Sequence, residues 1–505
     1  MKRSIFLLSV LVTGLSLPAQ EIKVETRVME QTETGNHRFP VVATNSRGER
    51  LYTFRGRDGR SHYYYFKDGT WRGGDQVPGS PQYEDYWFSE IVADSTGTFH
   101  YVAEDADSAM YYAYFKDGVW APMKKIDIKH EATLALGVRS DDTIVLVAPR
   151  VNPSPKGVTK DVLIGTKPPD ETAFGKWVNI TNDYESSTMV DAAIDADDNT
   201  WVIYKGAFFE GGGENLQAVL LVLDKNNDEI YWKNVSDQGD VWCWYAQIGI
   251  NEDGKVMVTW YTSQLHLYFS RLYDPATKKW TDVQEIIPGP SRPWPTMYNK
   301  IIARGSDFYW VGLTSSRYVV LYKYNEGSNS WTKLADISDR AANWCSAWMG
   351  DDSILIAWDS FKEPTACYLT MVSGEFLPPI IRIQSVSNLV VKKEMERSFF
   401  QARYMNVLTW EANPLNDQQG ITIASQRIYR KARTQEGALW VKIAEVAGNV
   451  YSYLDEDITS ESDYVYAVTC VDTNGAESPL IDPTEETSGV GQMSGPVSFA
   501  QRADR

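Results

Sequence analysis

The stretch Tyr63–Trp71 reads "YYYFKDGTW" and Tyr111–Trp120 reads "YYAYFKDGVW", so two Phe-Lys-Asp-Gly cores stand 49 residues apart. In each, an aromatic-rich run ends in Asp-Gly and a Trp follows two residues later. Asp-Gly is the pair that accepts the positive φ angles of a two-residue hairpin turn, so each copy reads as strand, turn, strand. A hairpin repeated at a fixed spacing asks whether further copies exist.

They do. The pattern ends at Trp71, Trp120, Trp177, Trp232, Trp280, Trp331 and, in "SGEF", at Phe376, with steps of 49, 57, 55, 48, 51 and 45 residues. Each copy is preceded by a second landmark, an apolar strand, a polar turn and another apolar strand. Examples are "IVADSTGTFHYVA", "AAIDADDNTWVIY" and "IGINEDGKVMVTWY". Two hairpins per period make four strands, and long helical periodicity is absent. The expected fold is all-β, a seven-bladed β-propeller over residues 35–377. The repeated Trp residues are expected to pack between neighbouring blades.

Composition bounds the rest. A chain of 505 residues exceeds one core, and its net charge of −18 excludes nucleic acid, because a polyphosphate needs a basic footprint. Residues 1–19 carry Lys2 and Arg3, an apolar run from Ile5 to Leu17 and a small residue, Ala19, the pattern of a secretory signal peptide. No later segment is apolar enough for a transmembrane anchor, so a secreted or periplasmic location is expected. Cys243, Cys345, Cys367 and Cys470 have no metal-type spacing and are expected to be buried thiols. "DKNNDE" and "DADDNTW" alternate calcium-type oxygens but lack the Gly and distal Glu of an EF-hand loop, so they read as hairpin turns. No metal or cofactor is expected.

From Pro379 the repeat gives way to another strand pattern. "NVLTWEANP" places Trp410 inward, "ASQRIYRKAR" carries Ile428 and Tyr429, and Tyr464 to Val468 alternate as Tyr-x-Tyr-x-Val. In that order these motifs resemble a fibronectin type III domain, over residues 379–483. The resemblance implies a β-sandwich used as a spacer or adhesive module. Residues 484–505 are Ser/Gly-rich and polar, and read as a disordered tail. The first unit resembles secreted bacterial propellers of the Asp-box-like and polysaccharide-lyase type in architecture. Its "KDGTW" turn is similar to an Asp-box but lacks that motif's leading Ser or Thr and its longer Asp-to-Trp spacing, which argues against sialidase activity.

In a four-stranded blade, the loops joining the middle strands and the links between blades share one face. The long insertions "PRVNPSPKGVTKD", "KGAFFEGGGENLQ" and "DSFKEPTAC" all join middle strands, so function is expected on that face. The links carry Trp87, His130, Tyr184, Trp242, Trp244, Arg292, Trp294 and Trp344. Flat aromatics beside polar groups suit a sugar, whose C–H face stacks while its hydroxyls hydrogen-bond. The alternative is that these rings plug the channel or pack between blades. Glu84, Asp85, Asp183, Glu185 and Asp240 could supply the carboxylate pair of a glycoside hydrolase, or be solvated turn acids. His130, Tyr184 and Arg292 could serve a polysaccharide lyase as base and carboxylate-neutralising cation. Three functions are therefore carried forward: glycan recognition at the aromatic mouth, a carbohydrate-active enzyme on the same face, and an envelope protein-interaction scaffold. The partner is thus a glycan or a protein, and the oligomeric state is open.

Overall fold

The computed structural model describes residues 22–32, 39–82, 88–105, 109–129, 133–154, 157–175, 177–181, 187–210, 213–237, 242–263, 265–287, 299–360, 365–377, 383–397, 402–418, 420–433, 440–459, 463–473, 477–478 and 480. The chain divides into two compact units, Met1–Pro379 and Ile380–Arg505.

The first unit is all antiparallel β, in a propeller-like arrangement. Its described residues form seven sheets, five of four strands and two of five. In chain order their innermost strands are Val41–Thr44, Ser89–Ala93, Ala135–Val138, Thr188–Ile194, Cys243–Ile250, Lys300–Arg304 and Ala342–Met349; we number the sheets first to seventh accordingly. Each innermost strand lies beside the next, and that of the seventh sheet lies beside that of the first. The middle strands supply most of the core: Tyr101, Trp260, Tyr309, Trp310 and Trp358 are all within 1% of complete burial.

The hairpins behave as the Asp-Gly pairs demand. Asp68 and Gly69 have φ of 52° and 75°, and Asp117 and Gly118 have 51° and 87°, the two positive angles of a turn whose twist matches the strands it joins. Phe66 then faces Trp71, and Phe115 faces Trp120. The inner turns are held by their own side chains. Asn45 Oδ1 accepts from the amides of Arg47 and Glu49, each at 3.0 Å, and Asp195 Oδ1 from those of Asp197 and Asn199 at 3.0 and 2.9 Å. Two of these turns clasp the following one: Ser95 donates its amide and hydroxyl to Asp142, and Ser140 does the same to Asp198, at 2.7 to 2.8 Å. With Asp195 and Asp224 engaged in turn hydrogen bonds, the two calcium-like stretches are hairpins.

Most of the repeated aromatics do bridge sheets. Trp120 packs on Tyr63 of the preceding sheet at 5.4 Å, Trp280 donates Nε1 to Tyr231 at 3.2 Å, and Trp331 donates to Ser270 at 2.8 Å. Trp232 corrects the expectation, being 46% exposed. The register slips between Tyr231 and Glu229, so Ile230 is an extra residue, and Tyr231 instead stacks on Tyr273 of the next sheet at 6.0 Å.

The seventh sheet corrects a second expectation. Its outermost strand is not a hairpin return at Phe376 but Ile22–Thr32, paired antiparallel to Thr365–Gly374 from Ile22 opposite Gly374 to Thr32 opposite Thr365. After Gly374 the chain turns, with the Leu377 amide donating to the Gly374 carbonyl, and buried Phe376 packs edge-on against Tyr309 at 6.0 Å. The early segment before residue 35 fills the position of the outermost strand.

The second unit holds two three-stranded antiparallel sheets. One orders Ser387–Arg397, Ala402–Glu411 and Ser452–Ile458; the other orders Val441–Ala447, Ile423–Ala432 and Tyr464–Asp472. Leu408, Trp410, Ile428, Tyr466 and Val468 form its core. The Tyr466 hydroxyl donates to Asp455 at 2.7 Å and accepts from Asn406 at 2.7 Å, so its polar end is satisfied inside. All four cysteines are buried thiols outside any disulfide. No helix among the described residues is long and apolar enough to cross a membrane.

Deleting residues 22–32 leaves Thr365–Gly374 with a bare edge. The expected result is a fall in Tm of roughly 5 °C or more and association visible by size exclusion; an unchanged melting curve and a monomeric elution profile would show that this pairing does not close the unit.

Candidate functional site

Two features of the first unit gather polar groups where the innermost strands begin. The first is a cavity lined from six sheets, by residues including Glu90, Asp191, Gln247, Asn299, Lys300 and Trp344. Its free space is about 40 Å³, room for a water or two and far too little for a pyranose ring.

A charge hub fills it. Lys300 Nζ lies 3.0 Å from Asp191 Oδ1 and 3.5 Å from Glu90 Oε1, joining the sixth, fourth and second sheets. Asp191 spends its other oxygen on the Ile248 amide of the fifth sheet at 3.0 Å. Burial alone would push the Lys300 ammonium down, but the two carboxylates outweigh it and hold its pKa above the usual lysine range. Burial pushes the Glu90 carboxyl up, against the attraction of Lys300. Asn299 is fixed by accepting from Trp310 Nε1 at 3.1 Å.

The second feature is the rim above. The third and fourth sheets extend their middle hairpins: Ile144–Ser154 with Gly157–Lys167, and Thr200–Glu210 with Gly213–Leu223, eleven residues per strand. The second middle-pair strands elsewhere begin from partners of six or seven residues, such as Phe99–Glu104 and Val256–Thr262. The excess of about four residues raises two adjacent walls roughly 13 Å over the rim. At the foot of the second wall, Lys205 Nζ stands 4.3 Å from the centre of the Trp244 ring. Trp244 Nε1 is buried, with no hydrogen-bond partner among the described residues. Two residues earlier Trp242 is 40% exposed, its carbonyl accepting from Ser263 at 3.1 Å. Tyr245 has a φ of 49°, and the pairing slips there between Trp244 and Gln247, which sends successive side chains from the rim to the cavity.

Of the residues expected at the mouth, Trp242, Trp244 and Trp344 lie among those described. Trp242 and Trp244 sit together on the rim. Trp344 is 7% exposed, donates Nε1 to the Pro40 carbonyl at 3.1 Å and meets Phe39 edge-on at 4.9 Å, so packing accounts for its ring. Trp87, His130, Tyr184, Arg292 and Trp294 lie outside the described residues, as do the acids Glu84, Asp85, Asp183, Glu185 and Asp240. The sequence reading missed Lys205 and the hub. Its signal was present: Glu90, Asp191 and Lys300 each stand as a charge at the head of an apolar inner strand, in "FSEIVA", "MVDAAI" and "YNKIIA". It also missed Tyr261, whose hydroxyl lies 2.7 Å from His266 Nδ1 in the loop of the fifth sheet. Burial pushes that phenol up to about 12, which keeps it protonated at neutral pH. No group of three or more His, Cys, Asp or Glu placed to hold a metal ion occurs among the described residues.

Replacing Lys300 by Met strands two carboxylates in the cavity and is expected to cost about 3–5 kcal/mol by urea unfolding. Glu90→Gln is expected to be near-neutral at pH 7. A carboxyl whose folded-state pKa lies above its unfolded one gives stability that is complete below the ordinary glutamate range and is lost as pH rises through the raised value. Glu90→Gln should therefore flatten that part of the stability profile; a steeper slope, or a Lys300→Met variant as stable as the parent, would contradict the hub.

No protein-family model matches the chain, and no curated protein matches it. Solved structures similar to it include a PL25 polysaccharide lyase, an ulvan lyase, bound to -[GlcA(1-4)Rha3S]-, 12% identical, with a TM-score of 0.48 over 68% of this chain and 96% of that one. A protein of unknown function from Dyadobacter fermentans is 11% identical, with a TM-score of 0.44 over 70% and 99%. A fucose-specific lectin from Aleuria aurantia is 11% identical, with a TM-score of 0.39 over 59% and 95%. At these values the likenesses carry no functional argument, and the architecture rests on the strand pairing itself.

Proposed function

We propose that this chain is an exported glycan-recognition protein. Residues 1–19 are its signal peptide, 35–377 with the closing strand a seven-bladed β-propeller, 379–483 a fibronectin type III-like spacer and 484–505 a tail. The ligand lies across the rim, against the hairpin walls of the third and fourth sheets, with Trp242 as its platform and Lys205 and Trp244 beside it. Trp87, His130, Tyr184, Arg292 and Trp294, which lie outside the described residues, are proposed as further ligand contacts on the strength of their sequence positions in the links.

The observation that carries this reading is the exposed indole of Trp242 at the foot of a two-hairpin wall. An indole 40% exposed beside Lys205 and Trp244 offers a face on which the C–H side of a sugar can stack. Glu90 and Asp191 are tied to Lys300 in a space too small for a sugar ring and do not serve as a hydrolytic pair, while the acids considered for hydrolysis, Glu84, Asp85, Asp183, Glu185 and Asp240, lie outside the described residues.

The test is an array of neutral and acidic glycans probed with the mature protein and with Trp242→Ala. Loss of a stacked ring is expected to weaken the retained glycan by about tenfold or more, with Tm unchanged because the ring is exposed. Equal retention by the variant would refute the rim site; retention of no glycan, with one protein co-purifying in stoichiometric amount, would favour a scaffold.

A further inference from the structure

A second cavity lies away from the rim, between the second and third sheets. One side is Lys124–Lys129, the outermost strand of the second sheet; the other is the turn residues Thr172 to Gly175 with Trp177 of the third. Its free space is about 390 Å³, within the range of small-ligand pockets and enough for one or two sugar rings.

Its walls combine two chemistries. Tyr112, Phe174 and Trp177 form an aromatic side: Phe174 meets Tyr112 edge-on at 5.4 Å and Trp177 at 6.0 Å with only 34° between the rings. Tyr112 is fixed from behind, its hydroxyl 2.8 Å from His100 Nδ1. Lys124 and Lys125 line the opposite side and are exposed, with Asp127 the one carboxylate among the described lining residues. Behind Tyr112, Lys167 is 4% exposed, its ammonium held by the carbonyls of Pro168 and Glu171 at 3.2 and 3.0 Å and 5.9 Å from the Tyr112 ring centre. Among the described residues no carboxylate oxygen reaches ion-pair distance of it. Lys124 thus shares Tyr112's face of the sheet, Lys125 takes the next position on the same exposed strand, and Lys167 is buried behind Tyr112, in a chain of net charge −18. The strand is also a sheet edge, and alternate backbone groups of such an edge point outward, ready to bond hydroxyls.

We propose that this cleft is a second binding site, for an anionic sugar residue, uronate or sulfated, whose ring stacks on Phe174 and Trp177 while its acidic group pairs with Lys124, which stands opposite Tyr112 on the cleft's side of the sheet. The inference rests on the glycan-recognition reading but uses none of the rim residues. It gives the protein two separated contacts on one polymer, so that avidity rather than a single deep pocket sets retention.

The experiment is calorimetric titration of the mature protein with oligogalacturonate and heparin-derived tetrasaccharides, with maltotetraose as neutral control. The variants are Lys124→Glu with Lys125→Glu, Trp177→Ala and Trp242→Ala. Trp177 packs against Gly165 and its removal can disturb the sheet, whereas the two exposed lysines test the site without that risk. The expected result is binding of at least one acidic tetrasaccharide, weakened by about tenfold or more in the lysine double variant and further weakened by 1 M salt, with a component that survives in Trp242→Ala and is lost when the lysine changes are added to it. Acidic binding lost only in Trp242→Ala overturns the second site while leaving the rim reading standing. Equal affinity for maltotetraose, or no binding of either acidic probe, also overturns it, whatever the rim variant does on the glycan array.

Discussion

Every sheet in the first unit has an outer edge, but a ring of sheets has one seam, and the pairing of Ile22–Thr32 with Thr365–Gly374 lies across it. Without that strand the seventh sheet would have three members and the two ends of the unit would be joined only through inner-strand packing. The pairing runs through ten matched positions and absorbs a bulge at Met29, which is the buried residue of an otherwise exposed strand. The cost of closing a loop of more than three hundred residues grows only slowly with its length, so one well-paired strand can offset it. The strand joins the earliest described segment to the last sheet and so makes the unit cooperative from end to end.

Closure also explains the division of labour between the two faces. On one face the turns are short and self-satisfied: Asn45, Asp94, Asp195 and Asn251 each bond their own turn, and Ser95 and Ser140 reach into the next. Such turns have no polar groups to spare. On the other face the inner strands begin, and there the hub of Lys300, Asp191 and Glu90 draws three sheets together across the axis. Removing charge from water is expensive, and an unpaired member would be costly, so the hub fixes the relative positions of sheets that do not touch as neighbours. A rigid axis lets the rim above carry long hairpins without those hairpins deciding the fold.

The fold was legible in sequence because its signals are local. Asp68-Gly69 and Asp117-Gly118 dictate a turn geometry that nothing distant has to supply, and Trp120, Trp280 and Trp331 mark sheet-to-sheet contacts by recurrence alone. The strand Ile22–Thr32 was missed because its partner is about three hundred and forty residues away, and no local pattern says where an edge strand will pair. Trp232 was misread because one inserted residue, Ile230, exchanges the two faces of a strand, a change of parity that spacing cannot reveal. At the rim, an aromatic in a link reads the same whether it is exposed like Trp242 or buried like Trp344; only the partners Pro40 and Phe39 separate them. Lys205 was invisible for the same reason, since its importance lies in the ring 4.3 Å away on another sheet.

The size of the axial cavity decides what the rest of the surface can do. With about 40 Å³ open among the described inner strands, the axial cavity has no room for a sugar ring, so under the proposed reading a glycan would be held on the outside of the unit. Two outside features combine aromatic rings with ammonium groups: the rim around Trp242, Trp244 and Lys205, and the cleft around Phe174, Trp177, Lys124 and Lys125. The rim feature stands where the fourth sheet meets the fifth, and the cleft where the second meets the third. A long acidic chain held at both would follow the side of the unit rather than plug its centre. A net charge of −18 opposes an anionic polymer overall, so its retention would depend on local cations such as Lys124.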